Sequence, residues 1–184
     1  PEYPRQARFL PAEDILDIRG KSGDARDGAP VRIAVPMLRR IANFDDLDPL
    51  AGETDVDVTL VEAGDVIPAD ADLILLPGSK STISDLTFLR DQGWDIDISA
   101  HLRRGGMVMG LCGGYQMLGT KLDDPDGVEG PAGDTPGLGH LGVETVLAGD
   151  KRLTQVTAHA NAFDVPVRGY EIHMGRTGGP DCDR

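Results

Sequence analysis

A chain of 184 residues, 40% of them hydrophobic, can bury one core, and with aromatics at only 4% that core must be aliphatic. A formal net charge of −13 argues against a nucleic-acid partner, whose phosphate backbone calls for a basic face. No apolar run reaches spanning length and no signal peptide is visible, so no membrane partner is expected. Two cysteines do not make a disulfide framework, and a reducing cytoplasm is the default expectation.

In chain order, residues 1–30 carry no sustained apolar period. Pro11 is placed to open a short helix, and Arg19–Gly28 is polar, glycine-rich and aperiodic, the composition of a linker. Such a start implies that another segment precedes it. Val31–Pro36 reads as a strand, and Asn43 is placed to cap a short helix through Asp46 and Leu50. Val56–Val61 alternates as a second strand. Asp72–Leu76 is a near-continuous apolar run, as expected for a parallel strand covered on both faces, and Pro77-Gly78-Ser79 ends it. Ser81 or Thr82 is placed to cap a helix with Ile83, Leu86 and Leu89 on one face. A second helix runs through Ile96, Ile98 and Leu102 until Gly105 stops it. Around Val108 a short apolar run predicts a buried strand. This alternation predicts an α/β fold with an open, doubly wound, mostly parallel sheet and its chemistry at the carboxyl ends of the strands. Asp123–Glu129 is acidic, but its spacing does not fit a calcium loop, and a surface turn without metal is expected. From Gly139 onward, residues 140–147, 153–159 and 167–173 read as antiparallel strands joined by turns.

Cys112 carries the chemistry. It follows the Val108 strand, sits among Gly110, Gly113 and Gly114, and precedes a helical pattern of Tyr115, Met117 and Leu118. A nucleophile at a sharp strand-to-helix bend is a nucleophile elbow, and the glycines let the neighbouring backbone approach. By itself a cysteine reads as a small buried hydrophobe, and Gly78 as a plain strand-ending turn. Together they suggest amide hydrolysis, which needs a nucleophile, a base and donors for the tetrahedral oxyanion. Cys112 is the candidate nucleophile, the Gly113 amide holds the usual donor position, and Gly78 with Ser79 is the candidate second donor. Gln116, one turn into the helix, is placed to offer its amide to a bound amino acid. Cys182, in a Gly-Pro-Asp-Cys-Asp segment, reads as an incidental exposed thiol.

Gly110–Gln116 matches the Gly-x-Cys-x-Gly-x-Gln signature of class I glutamine amidotransferases. The shorter Gly-x-Cys-x-Gly core also occurs in cysteine hydrolases and stress proteins, so a stand-alone hydrolase or redox-responsive protein is an alternative. A catalytically silent interaction module is another. Leu76–Thr82 with Asp85-Leu86 and Leu89-Arg90, then Gly113–Gly119, then Gly169–Gly175 resemble the corresponding segments of the cobyric acid synthase family. Related synthases that act on other corrinoid or cell-wall substrates share the elbow.

The resemblance covers Val31–Arg184 as an amidotransferase domain, with residues 1–30 resembling the preceding interdomain linker. It implies a class I glutamine amidotransferase-like, flavodoxin-like fold. Glutamine would be hydrolysed at Cys112, with Gly78, Ser79 and Gly113 at the oxyanion and Gln116 at the glutamine. The ammonia would amidate peripheral carboxylates of the corrinoid adenosylcobyrinic acid a,c-diamide in cobalamin biosynthesis. No cofactor is implied for this domain. ATP and Mg²⁺ belong to an N-terminal synthetase domain with a P-loop, and no Gly-x-x-x-x-Gly-Lys-[Ser/Thr] occurs in this sequence. The family's catalytic histidine lies in a later Leu-His-Gly segment that nothing here matches. The resemblance therefore implies a domain truncated at its C-terminus and impaired alone, with His173 a disfavoured alternative base. His101, His140 and His159 have no motif support, and Glu171 is read as an ordinary strand carboxylate.

Overall fold

The computed structural model describes residues 31–148, 152–160, 164–173 and 175–183. Four parallel strands, β1 (Val31–Pro36), β2 (Val56–Val61), β3 (Leu73–Leu76) and β4 (Met107–Gly110), form a sheet in the order β2-β1-β3-β4. Four α-helices connect or follow them: α1 (Asp48–Gly52), α2 (Thr82–Asp91), α3 (Trp94–Arg103) and α4 (Gly113–Leu118). The architecture is the open parallel α/β sheet that the alternation of strand and helix predicts. The central strands are buried as their apolar runs require, with Val35, Ile74, Leu75 and Leu76 inaccessible to solvent. Leu86 and Leu89 of α2 and Trp94 and Ile98 of α3 close the core. Trp94 meets Phe88 edge to face at 5.7 Å, and its indole nitrogen donates to the Asp65 carbonyl at 2.8 Å.

The carboxyl-terminal third builds separate sheets. β5 (Lys121–Asp124), β6 (Gly133–Pro136) and β7 (Glu144–Val146) join β10 (Arg176–Gly178) in the order β10-β7-β5-β6. β7 runs parallel to β5, so the 140–147 segment is not wholly part of an antiparallel array. The remaining two predicted strands form an antiparallel hairpin, β8 (Arg152–Ala160) with β9 (Val165–His173).

Several local expectations are corrected. Asn43 precedes a 3₁₀ turn, Phe44–Asp46, without a capping side-chain bond, and α1 follows as a separate short helix. Neither Ser81 nor another α2 cap residue bonds the helix end through its side chain; instead the Ile83 amide donates to Glu129 at 2.9 Å. Ile96 points to solvent, and Trp94 takes the buried place on α3. β4 is an edge strand among the described residues, with Met107 64% and Met109 50% exposed, rather than a fully buried one. The acidic 123–129 segment begins as the end of β5, Asp123 and Asp124, and continues as a turn. The buried Asp124 carboxylate accepts the amides of Val128 at 2.7 Å and Glu129 at 2.9 Å, which fixes the turn. The expected Pro11 helix and the Arg19–Gly28 linker lie outside the described residues. Among the described residues no helix is long and apolar enough to cross a membrane.

Candidate active site

The β3–β4 register pairs Leu76 with Gly110, so the two strands end level. The Leu111 amide still reaches the Leu76 carbonyl at 2.9 Å, and the chain then turns. Cys112 takes the turn at φ +48° and ψ −108°, a conformation that non-glycine residues rarely adopt. Tight backbone packing holds it there. The Gly114 amide donates to the Leu111 carbonyl at 2.8 Å, and that of Gln116 to the Cys112 carbonyl at 3.1 Å. A Cβ on Gly114 would collide with the Leu76 carbonyl oxygen and stand 2.8 Å from that of Pro77. A Cβ on Gly110 would stand 2.5 Å from the Tyr115 nitrogen. The two glycines therefore permit the close approach of β3, β4 and α4 that the bend needs.

The loop after β3 comes against this bend. A Cβ built on Gly78 would stand 3.7 Å from the Cys112 Cβ and 3.8 Å from the Leu111 carbonyl. One built on Gly113 would stand 3.0 Å from the Ser79 nitrogen and 3.2 Å from Thr82 Oγ1. Gly78, Ser79, Cys112 and Gly113, singled out in sequence for one reaction, are thus gathered at the carboxyl ends of adjacent strands, and the Cys112 thiol is exposed. Gln116 is buried beside them, its Oε1 accepting from Thr82 Oγ1 at 3.3 Å. The loop is tied to the segment after β1: Ala42 N donates to the Gly78 carbonyl at 2.9 Å, and Lys80 N to that of Arg40 at 2.8 Å.

Two neighbours escaped the sequence reading. Thr82 has only a capping role there, yet its hydroxyl orients Gln116. Asp85 has none, yet it is fully buried and accepts the Ser79 hydroxyl at 2.6 Å. Its place four residues into a helix that follows the glycine loop was the available signal. Cys182 is exposed as expected, but its Sγ stands 3.9 Å from the Tyr115 hydroxyl on α4. The 3₁₀ turn that carries it, Pro180–Asp183, is docked by Asp181, which accepts the Gly142 amide at 2.6 Å. Burial, and then the hydrogen bond and charge of Cys182, push the Tyr115 phenol up.

The other histidines are engaged elsewhere. His101 is buried with Nε2 3.0 Å from the Met107 carbonyl, and His159 stands 3.4 Å from Asp164 on the β8–β9 hairpin. His140 is 3.4 Å from the Ser99 hydroxyl, and burial lowers its pKa. His173 ends β9 opposite Arg152, and its side chain lies outside the described residues, as does that of Glu171.

Residues 32–184 match the CobB/CobQ-like glutamine amidotransferase domain family. Over 175 residues the chain is 61% identical to the cobyric acid synthase of Ruegeria sp. (strain TM1040), covering 95% of this chain and 35% of that protein. Over 184 residues it is 58% identical to the cobyric acid synthase of Paracoccus denitrificans (strain Pd 1222), covering 100% of this chain and 37% of that protein. The chain thus spans little more than a third of the length of these curated relatives. In fold it is similar to the structure of PurLQS from Thermotoga maritima, with a TM-score of 0.59 at 20% identity over 83% of this chain and 71% of that one. A crystal structure of a glutamine amidotransferase superposes with a TM-score of 0.55 at 13% identity, covering 80% and 73% of the two chains. With the elbow at the end of β4 and a family match over nearly the whole described region, the chain belongs to the CobB/CobQ-like glutamine amidotransferase domains.

Proposed function

We propose that this domain hydrolyses glutamine for a cobyric acid synthase, and that Cys112 is its nucleophile. The Cys112 thiolate attacks the carboxamide carbon of glutamine. The developing oxyanion is received by the amides of Gly113 and of the Gly78–Ser79 loop, preorganised donors aimed at the charge that appears in the transition state. Ammonia leaves, and water releases glutamate from the thioester. Gln116, oriented through Thr82, contacts the amino-acid end of the substrate. A histidine relays the protons. That histidine belongs to a Leu-His-Gly segment elsewhere in the full protein, with His173 the rival. The ammonia then amidates peripheral carboxylates of a corrinoid, activated by ATP and Mg²⁺ in an N-terminal synthetase domain. Residues 1–30 serve as the linker to that domain and residues 31–184 as the amidotransferase domain. By itself the 184-residue chain carries out no synthesis, and its glutaminase activity is impaired.

The observation that carries this reading is the left-handed backbone of Cys112 at the strand-to-helix bend, with Gly78 against its Cβ. Backbone strain of this kind is retained where it exposes a reactive group. A diazo-ketone analogue of glutamine should label Cys112 in the full-length protein. Cys112→Ser should abolish labelling and glutamine-dependent synthesis while ammonia-dependent synthesis survives. Equal loss of the two synthetic activities would overturn the reading.

A further inference from the structure

The loop that faces Cys112 is tied by its backbone to the 40–42 segment, where Ser79 forms an antiparallel bridge with Ile41. Asp85, in the first turn of α2, supplies the other anchor. Side chains on a helix lean towards its N-terminus, and from this position the carboxylate reaches back into the loop. Its Oδ2 accepts the Ser79 hydroxyl at 2.6 Å, the short distance of a charge-assisted bond, and the Arg40 amide at 3.2 Å. The Ser79 hydroxyl in turn accepts the Ser81 amide at 3.0 Å. One carboxylate oxygen therefore joins the loop after β1, the loop after β3 and the start of α2.

The second oxygen makes the arrangement informative. Asp85 is completely buried, and its Oδ1 has no hydrogen-bond partner among the described residues. A buried acceptor left unsatisfied lowers stability, and an uncharged side chain would close a helix turn at less cost. This carboxylate stands directly behind Ser79, the residue whose nitrogen lies 3.0 Å from the Cβ position of Gly113.

We propose that Asp85 is a positioning residue for glutamine hydrolysis: its buried carboxylate clamps Ser79 and Arg40 and so holds the Gly78–Ser79 amides against Cys112 and Gly113. This rests on the glutaminase reading above. Oxyanion donors act through preorganisation, so a loosened loop costs rate in the transition state and leaves ground-state binding of glutamine untouched.

The test uses the full-length protein with Asp85→Ala, Asp85→Asn and Ser79→Ala, and Cys112→Ser as control. Asp85→Ala should lower the glutamine-dependent kcat by up to about 10²–10³, the loss typical of one oxyanion donor, with KM for glutamine and ammonia-dependent synthesis unchanged. Asp85→Asn, which keeps an acceptor for Ser79, should restore most of the rate. Glutamate γ-semialdehyde, whose thiohemiacetal places an oxygen in the same hole, should bind more weakly by the same factor as kcat falls. Should Asp85→Ala fail to fold, Ser79→Ala carries the test: it removes the hydroxyl that Asp85 holds and should lower kcat at constant KM, while Asp85→Asn stays close to the unsubstituted rate. Unchanged kcat in Asp85→Ala, or in Ser79→Ala where Asp85→Ala does not fold, would overturn the proposal while Cys112→Ser still abolishes glutamine use. So would a parallel loss of glutamine- and ammonia-dependent synthesis together with a lower melting temperature. Glutamine use that survives Cys112→Ser would overturn the glutaminase reading itself, and this proposal with it.

Discussion

At Cys112 an L-residue holds φ +48° and ψ −108°, where the clash of its Cβ with the backbone costs on the order of 1–3 kcal/mol. Glycine has no such clash. Cys112→Gly should therefore be more stable than Cys112→Ala by about 1 kcal/mol, measured as the difference in urea midpoints, the N-cap position of Cys112 adding to the advantage of glycine. Equal midpoints would mean that the bend relaxes once the thiol is gone. The glycines around Cys112 were legible in the sequence because a bend of this kind needs small residues on both sides. What they approach was not legible. That Gly114 lies on the Leu76 carbonyl, and Gly113 on Ser79, depends on two strands 30 and more positions apart ending level. Thr82 and Asp85 were missed for the same reason. A hydroxyl and a carboxylate in a first helical turn look like capping residues until their partners are known.

The elements themselves were read with uneven success, and the pattern of misses is physical. β1, β2, β3 and the two long helices announced themselves through apolar periodicity, because burial against the sheet dictates it. β5, β6 and β10 are three or four residues long and polar, too short for any period to emerge. The end of α2 was expected to be capped from within, but the bond comes from Glu129, across 46 positions of sequence. His140, between β6 and β7 and 3.4 Å from the Ser99 hydroxyl on α3, gives this part of the chain a pH dependence through its burial. Burial lowers its pKa from 6.5, so the unfolded chain takes up the proton more readily than the folded one. The stability that neutral His140 contributes is complete above about pH 6.5 and is lost as the pH falls through the lower folded value. Between about pH 7 and pH 5 the melting temperature should therefore fall less steeply in His140→Gln than in the unsubstituted protein. Parallel curves would show that carboxylates alone set the slope.

For the whole molecule, the alternation of strands and helices was enough to predict the parallel sheet, and the order of segments was enough to put both candidate loops at its carboxyl edge. The second sheet was not foreseen, since β7 lies parallel to β5 and closes against β10, a pairing between segments that local pattern cannot connect. The resemblance of three segments carried the reading of the site further than periodicity could. The level ending of β3 and β4 has one more consequence: the sheet serves as a length gauge for the reaction. Each residue of a strand advances the chain by about 3.3 Å and turns its neighbour to the opposite face. Adding one residue within Met107–Gly110 would slide Cys112 past Gly78 by a whole step, whereas adding one in the 62–72 connection would leave both strand ends where they are. In the full-length protein the first insertion should abolish labelling of Cys112 by the glutamine analogue, and the second should leave it intact. Over evolutionary time, changes in chain length should then collect in the connections at the far edge of the sheet and be purged from these two four-residue strands, however freely their side chains vary.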